Sequence, residues 1–131
     1  MLGVASTVAS ALFGCVGSTV EDSPVLADGA PLRVESDQRA VSALVETADG
    51  HVVRGENTLY VTFSNADTEL VAWDFFMPVH GHGTVPPEVS LVDEAYRIDA
   101  LSLFMPGRWD VTLDLDVAGA EDRVFFSVQV P

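Results

Sequence analysis

Arg108-Trp109-Asp110-Val111-Thr112-Leu113-Asp114-Leu115-Asp116-Val117 places a large apolar side chain at every odd position and a polar one at every even position. A repeat of two residues belongs to a strand with one buried and one wet face, because successive side chains of an extended chain point to opposite sides. The same alternation returns after Gly119 with Val124, Phe126, Val128 and Val130, and earlier with Leu59, Val61 and Phe63 set between Thr58, Tyr60, Thr62 and Ser64. Residues 41–45, 70–76, 89–92 and 96–103 supply further strand candidates. Turn-forming residues fall between them: Asp49-Gly50, Arg54-Gly55, Asn65-Ala66-Asp67, the Gly/Pro-rich stretch 81–87, Pro106-Gly107 and Gly119. About seven short strands at this spacing, with no amphipathic helix, predict an all-β fold: an antiparallel sandwich of two sheets packed face to face.

The 131 residues suffice for one ordinary core and not for two. Twenty acidic against six basic side chains give a formal net charge of -14, and every base is an arginine. Such a surface repels phosphate backbones and anionic headgroups and attracts cations, which excludes nucleic acid as a partner. Asp110, Asp114 and Asp116 share the outward face of their strand and read as a solvated face that discourages edge pairing. Asp93-Glu94 and Glu121-Asp122 read as solvated neighbours at turns.

The single cysteine closes an apolar, small-residue segment, residues 1–15, that ends in Leu12-Phe13-Gly14-Cys15. That ending resembles a bacterial lipobox, although Phe13 is bulky and no positively charged residue precedes the apolar stretch. It predicts a lipoprotein signal peptide with Cys15 as the acylated residue. The expected location is a bacterial membrane, facing the periplasm or the cell surface, with attachment through the lipid only. Residues 16–31, rich in Gly, Ser, Asp, Pro and Ala, read as a flexible acidic tether, and residues 32–131 as the folded domain.

Chemistry concentrates in Phe75-Phe76-Met77-Pro78-Val79-His80-Gly81-His82-Gly83-Thr84, which holds two of the three histidines. In an extended segment His80 and His82 point the same way. A second Phe-Met-Pro triplet, Phe104-Met105-Pro106, precedes Gly107-Arg108-Trp109. Thioether sulfur with imidazole suits Cu(I), and paired neutral imidazoles suit Cu(II) or Zn(II). Copper is therefore the first metal to consider, with His80, His82, Met77 and Met105 as candidate ligands, and with Asp74 or Glu88 as other groups that would complete a shell. The competing reading has the histidines pinning a loop through hydrogen bonds to carbonyls. No Gly-x-Ser-x-Gly elbow, phosphate-binding loop or dinucleotide glycine pattern occurs, so the chain is not expected to be an enzyme.

Gly55-Glu56-Asn57-Thr58-Leu59, then Met77-Pro78-x-His80-Gly81-His82-Gly83, the Tyr96 strand, Phe104-Met105-Pro106-Gly107-x-Trp109 and the closing Phe126 strand follow one another as in the YtkA-like domain family, which this chain resembles over about residues 41–130. It departs from that pattern between Asn65 and Ala72, where Ala66-Asp67-Thr68-Glu69 replaces the usual glycine-containing hairpin. The resemblance implies an immunoglobulin-like sandwich in an exported bacterial protein, often a lipoprotein or a part of a membrane-associated assembly. It also implies a link to copper and heavy-metal contexts. A metal-free accessory module that docks another envelope protein is the alternative.

Overall fold

The computed structural model describes residues 23–28 and 30–131. Cys15 and the expected signal peptide lie outside them. Ten strands follow in chain order: β1 Val25–Leu26, β2 Leu32–Glu35, β3 Ser42–Thr47, β4 Gly55–Phe63, β5 Thr68–Met77, β6 His82–Gly83, β7 Glu88–Val92, β8 Ala95–Leu103, β9 Gly107–Val117 and β10 Ala120–Val130. They form two five-stranded sheets, ordered β1-β10-β9-β5-β6 and β2-β3-β4-β8-β7. The chain passes from one sheet to the other between β1 and β2, between β4 and β5, between β6 and β7, and between β8 and β9. The fold is all-β, a two-layer sandwich.

The alternating residues occupy the positions their period requires. Trp109, Val111, Leu113, Leu115 and Val117 of β9 are buried, while the even positions between them are only partly covered. Val124, Phe126, Val128 and Val130 of β10 face the same interior, opposite Leu59, Val61, Ile98, Leu101 and Leu103 from the other sheet. Each of these side chains, taken out of water, contributes about 1.5–3 kcal/mol.

Two irregularities adjust the ladders. Thr58 faces both Asp99 and Ala100 where the β4–β8 register shifts, and Ala100 takes a positive φ of 54° there. Val71 is the extra residue where β5 slips against β9. The N–H of Leu70, beside that slip, donates to the Tyr96 hydroxyl at 3.2 Å, so a side chain from the opposite sheet satisfies a backbone donor there.

Two assignments made from the sequence change. The stretch read as tether, 16–31, contains β1, which pairs in parallel with β10 (Val25 with Ser127, Leu26 with Val128). Leu26 is 1% exposed. Two apolar residues among Gly, Ser and Asp are too few to show a period, yet Leu26 fills the core and the Ser127 N–H finds its acceptor on Pro24 at 2.8 Å. The Arg108 guanidinium adds to this seam, donating to Ser23 Oγ at 2.7 Å and to Ser127 Oγ at 3.1 Å.

Asp122 is the second change, because it is 8% exposed rather than solvated. Its Oδ1 accepts the N–H of Gln38 at 2.9 Å and that of Arg123 at 2.8 Å. Burial alone pushes this carboxyl up. The Ser36 hydroxyl and the backbone N–H groups of Gln38, Arg123 and Ala40 outweigh it and hold the group below its ordinary value. Oδ2 has no partner in strict hydrogen-bond geometry, so Ser36 and Ala40 act on it as nearby dipoles. The carboxylate thereby ties the β2–β3 turn of one sheet to the β9–β10 hairpin of the other.

A folded-state value below the unfolded one means that this stabilisation is complete above about pH 4 and is lost as pH falls through the folded value. Asp122→Asn should therefore cost about 1–3 kcal/mol at pH 7. The difference from wild type should shrink below pH 4, as urea unfolding across pH will show; a constant difference would assign the loss to packing instead.

Candidate functional site

Backbone register brings the two Phe-Met-Pro corners and the His-Gly-His segment to one end of the sandwich. Met77 ends β5, and the 78–81 turn that follows is closed by a 2.8 Å bond from the Gly81 N–H to the Met77 carbonyl. Gly81 sits at φ +66°, a left-handed conformation that glycine adopts without strain. The chain then returns as β6, which pairs His82 with Met77 and Gly83 with Phe76. The second corner, 104–106, joins β8 to β9 beside it.

That second corner is clamped from below. The Trp109 indole N–H donates to the Met105 carbonyl at 3.0 Å, and the Phe104 ring meets the Trp109 ring edge-on with centroids 5.5 Å apart. Trp109 is itself fully buried, so the corner rests on the core. Gly107, at φ +122°, connects the two corners: a Cβ built there would stand 3.2 Å from the Met77 methyl carbon.

The four candidate ligands thus fall into different environments. Met77 is 1% exposed, and its thioether side chain fills the core beneath Gly107. Met105 is half-buried and packs against the same core. His80 stands exposed on the turn between β5 and β6, and His82 is placed by its pairing with Met77. Asp74 and Glu88 are exposed on β5 and β7, and among the described residues no three His, Asp or Glu side chains come together to hold a metal. The corner offers imidazole and one half-buried thioether, both soft-metal donors.

His51 lies elsewhere, with its Nδ1 3.9 Å from an oxygen of Asp28, and both side chains are well exposed. The outward aspartates of β9 each have a partner. Asp110 accepts from the Ser127 hydroxyl at 3.1 Å, Asp114 pairs with Arg123 at 2.9 Å, and Asp116 accepts the Gly119 N–H at 2.7 Å. A depression of about 560 Å³ lies at the opposite end from the histidines, with Val71, Ala72 and Leu115 in its lining and Asp114, Asp116 and Glu121 around them.

No family model, curated protein or solved structure matches the chain.

The clamp on Met105 was not readable from the sequence, because it is a hydrogen bond from a side chain that the alternation already explained as core. Gly107 offered the one available signal, a glycine directly after Met-Pro at a strand entrance. Gly107→Ala should cost about 1–3 kcal/mol, since alanine is strained at this φ and its methyl crowds Met77. Thermal denaturation of Gly107→Ala beside Met77→Leu would measure it, and an unchanged midpoint would mean that the corner relaxes freely.

Proposed function

We propose that the chain is an exported bacterial lipoprotein, acylated at Cys15, whose immunoglobulin-like domain of the YtkA-like type binds copper at the His80–His82 corner. Binding rather than catalysis is its role. The observation that carries the metal reading is the convergence of both Met-Pro corners and the His-Gly-His segment on one end of the sandwich. His80, His82 and Met105 are the ligands, and the buried Met77 acts as the floor beneath them. The excess of carboxylates elsewhere on the molecule raises the local concentration of cations.

What supports the immunoglobulin-like assignment is strand order: β3-β4-β8-β7 in one layer and β5-β9-β10 in the other follow the ABED and CFG arrangement of that fold. The buried Trp109 lies on β9, the F position, rather than on the strand equivalent to C, and a single cysteine provides no inter-sheet disulfide. The core therefore depends on packing alone.

For attachment, seven residues lie between Cys15 and Ser23, where the chain meets the sheet, so the span is at most ~29 Å. An acylated Cys15 keeps the domain close to its membrane.

A second reading, a metal-free accessory module that docks another envelope protein, is favoured by the burial of Met77, which removes one soft ligand from reach. Calorimetric titration of the full chain with Cu(I) and Cu(II) separates the two. Tight uptake by wild type, lost in His80→Ala/His82→Ala, supports copper; equal weak uptake by both favours the accessory module, as does a partner that co-purifies regardless of chelator. Mass spectrometry of the protein from membranes should find acylated Cys15 at the mature N-terminus, and Cys15→Ser should release it. An intact Met1 would remove the lipoprotein assignment.

A further inference from the structure

Charge is distributed unevenly over this molecule. Although 20% of its residues are charged, residues 75–87 and 100–107 contain no Asp, Glu, Lys or Arg. The fold places the 78–87 and 104–107 parts of these stretches side by side at one corner of the sandwich. The same corner carries four exposed large apolar side chains, including the two most exposed among the described residues: Val79 is 81% exposed, Val85 73%, Phe104 45% and Phe76 39%. Pro78, Pro86 and Pro106 stand exposed between them. The nearest charges lie at the corner's border: Glu88 follows Pro87 at the start of β7, and Asp110 stands across the sheet from Phe76. Arg108 is turned onto Ser23 and Ser127, and the Asp110 carboxylate is engaged by the Ser127 hydroxyl. Asp74 precedes Phe76 by two residues, which is about 7 Å along a strand.

We propose that this uncharged corner inserts into the interfacial layer of a lipid bilayer with electrically neutral headgroups. The size of the patch decides between lipid and protein. A stable protein interface takes about 800 Å² from each partner, whereas four side chains at one corner present on the order of a few hundred Å². A fluid surface needs no matching concavity, and each inserted side chain contributes by itself. A second copy of the chain is disfavoured because both copies carry a net charge of -14. Anionic headgroups are disfavoured by the same charge.

Interfacial elements sink about 5–10 Å into the headgroup and acyl boundary, and here the Phe76 level, where Asp110 stands across the sheet, limits insertion to the turn and corner above it. The neighbouring 48–54 loop at this end carries Asp49, His51 and Arg54, which confines the contact to the corner and tilts the sandwich on the membrane. This contact is additional to any acyl anchor and does not depend on the copper assignment.

The test uses the full chain carrying Cys15→Ser, so that acylation plays no part, with phosphatidylcholine vesicles as the probe. In flotation the chain should associate with the vesicles to the same extent at low and high salt. Val79→Asp/Phe104→Asp should lower that association at least tenfold, and Leu91→Asp, at an exposed apolar site on β7, should leave it unchanged. A tryptophan introduced as Val79→Trp should be quenched by bromine on the lipid acyl chains well beyond Leu91→Trp. Absence of association, equal association by the corner variant, or equal quenching at the two positions would each overturn the proposal. Loss of acylation at Cys15 in the native protein would leave it standing.

Discussion

Strand β9 is hydrogen-bonded along most of its length to β5 on one side and to β10 on the other, and the rest of the molecule is arranged around that contact. Its five inward residues are buried, and a slip of one residue against either neighbour would turn three aspartates into the core. The cost of burying an unpaired carboxylate is far larger than that of leaving a valine wet, so the register of the sheet is fixed by charge as firmly as by hydrophobicity. Trp109 extends this control to the end of the strand, where its indole N–H holds the 104–106 corner.

Much of the architecture was legible because it repeats. β3, β4, β5, β7, β8, β9 and β10 all fall on stretches recognisable from alternation or from β-branched and aromatic residues between turns. β1, β2 and β6 were not, since a strand of two to four residues is too short to display a period and is stabilised by what it lies against. Asp122 was misread for a related reason: its neighbours in sequence, Glu121 and Arg123, are exposed, and only the folded chain brings the 36–40 turn over it. The positions of His80 and His82 at a turn and on a short return strand agree with the glycines around them. The unequal burial of Met77 and Met105 has no sequence signal, because both stand in the same Phe-Met-Pro context.

That inequality has a structural origin. Met77 is the last residue of a strand whose odd positions Phe75 and Met77 face inward, so it inherits the buried face. Met105 follows the end of β8 and is free of that alternation; its backbone is held by Trp109 while its side chain lies over the core edge. Two identical motifs therefore meet the same end of the sandwich with one methionine buried and the other half-buried. The glycine between them, Gly107, leaves the space into which the hidden methyl group fits.

The parallel pairing of β1 with β10 reaches beyond the two residues that make it. β10 is an eleven-residue strand with alternating large apolar groups, and β1 covers part of its outer edge at Ser127 and Val128. A chain trimmed to begin at Leu32 would keep nine strands but lose this cover. It would present unpaired amide and carbonyl groups of β10 beside a hole once filled by Leu26. The segment before the domain thus closes an edge of the sheet as well as filling the core.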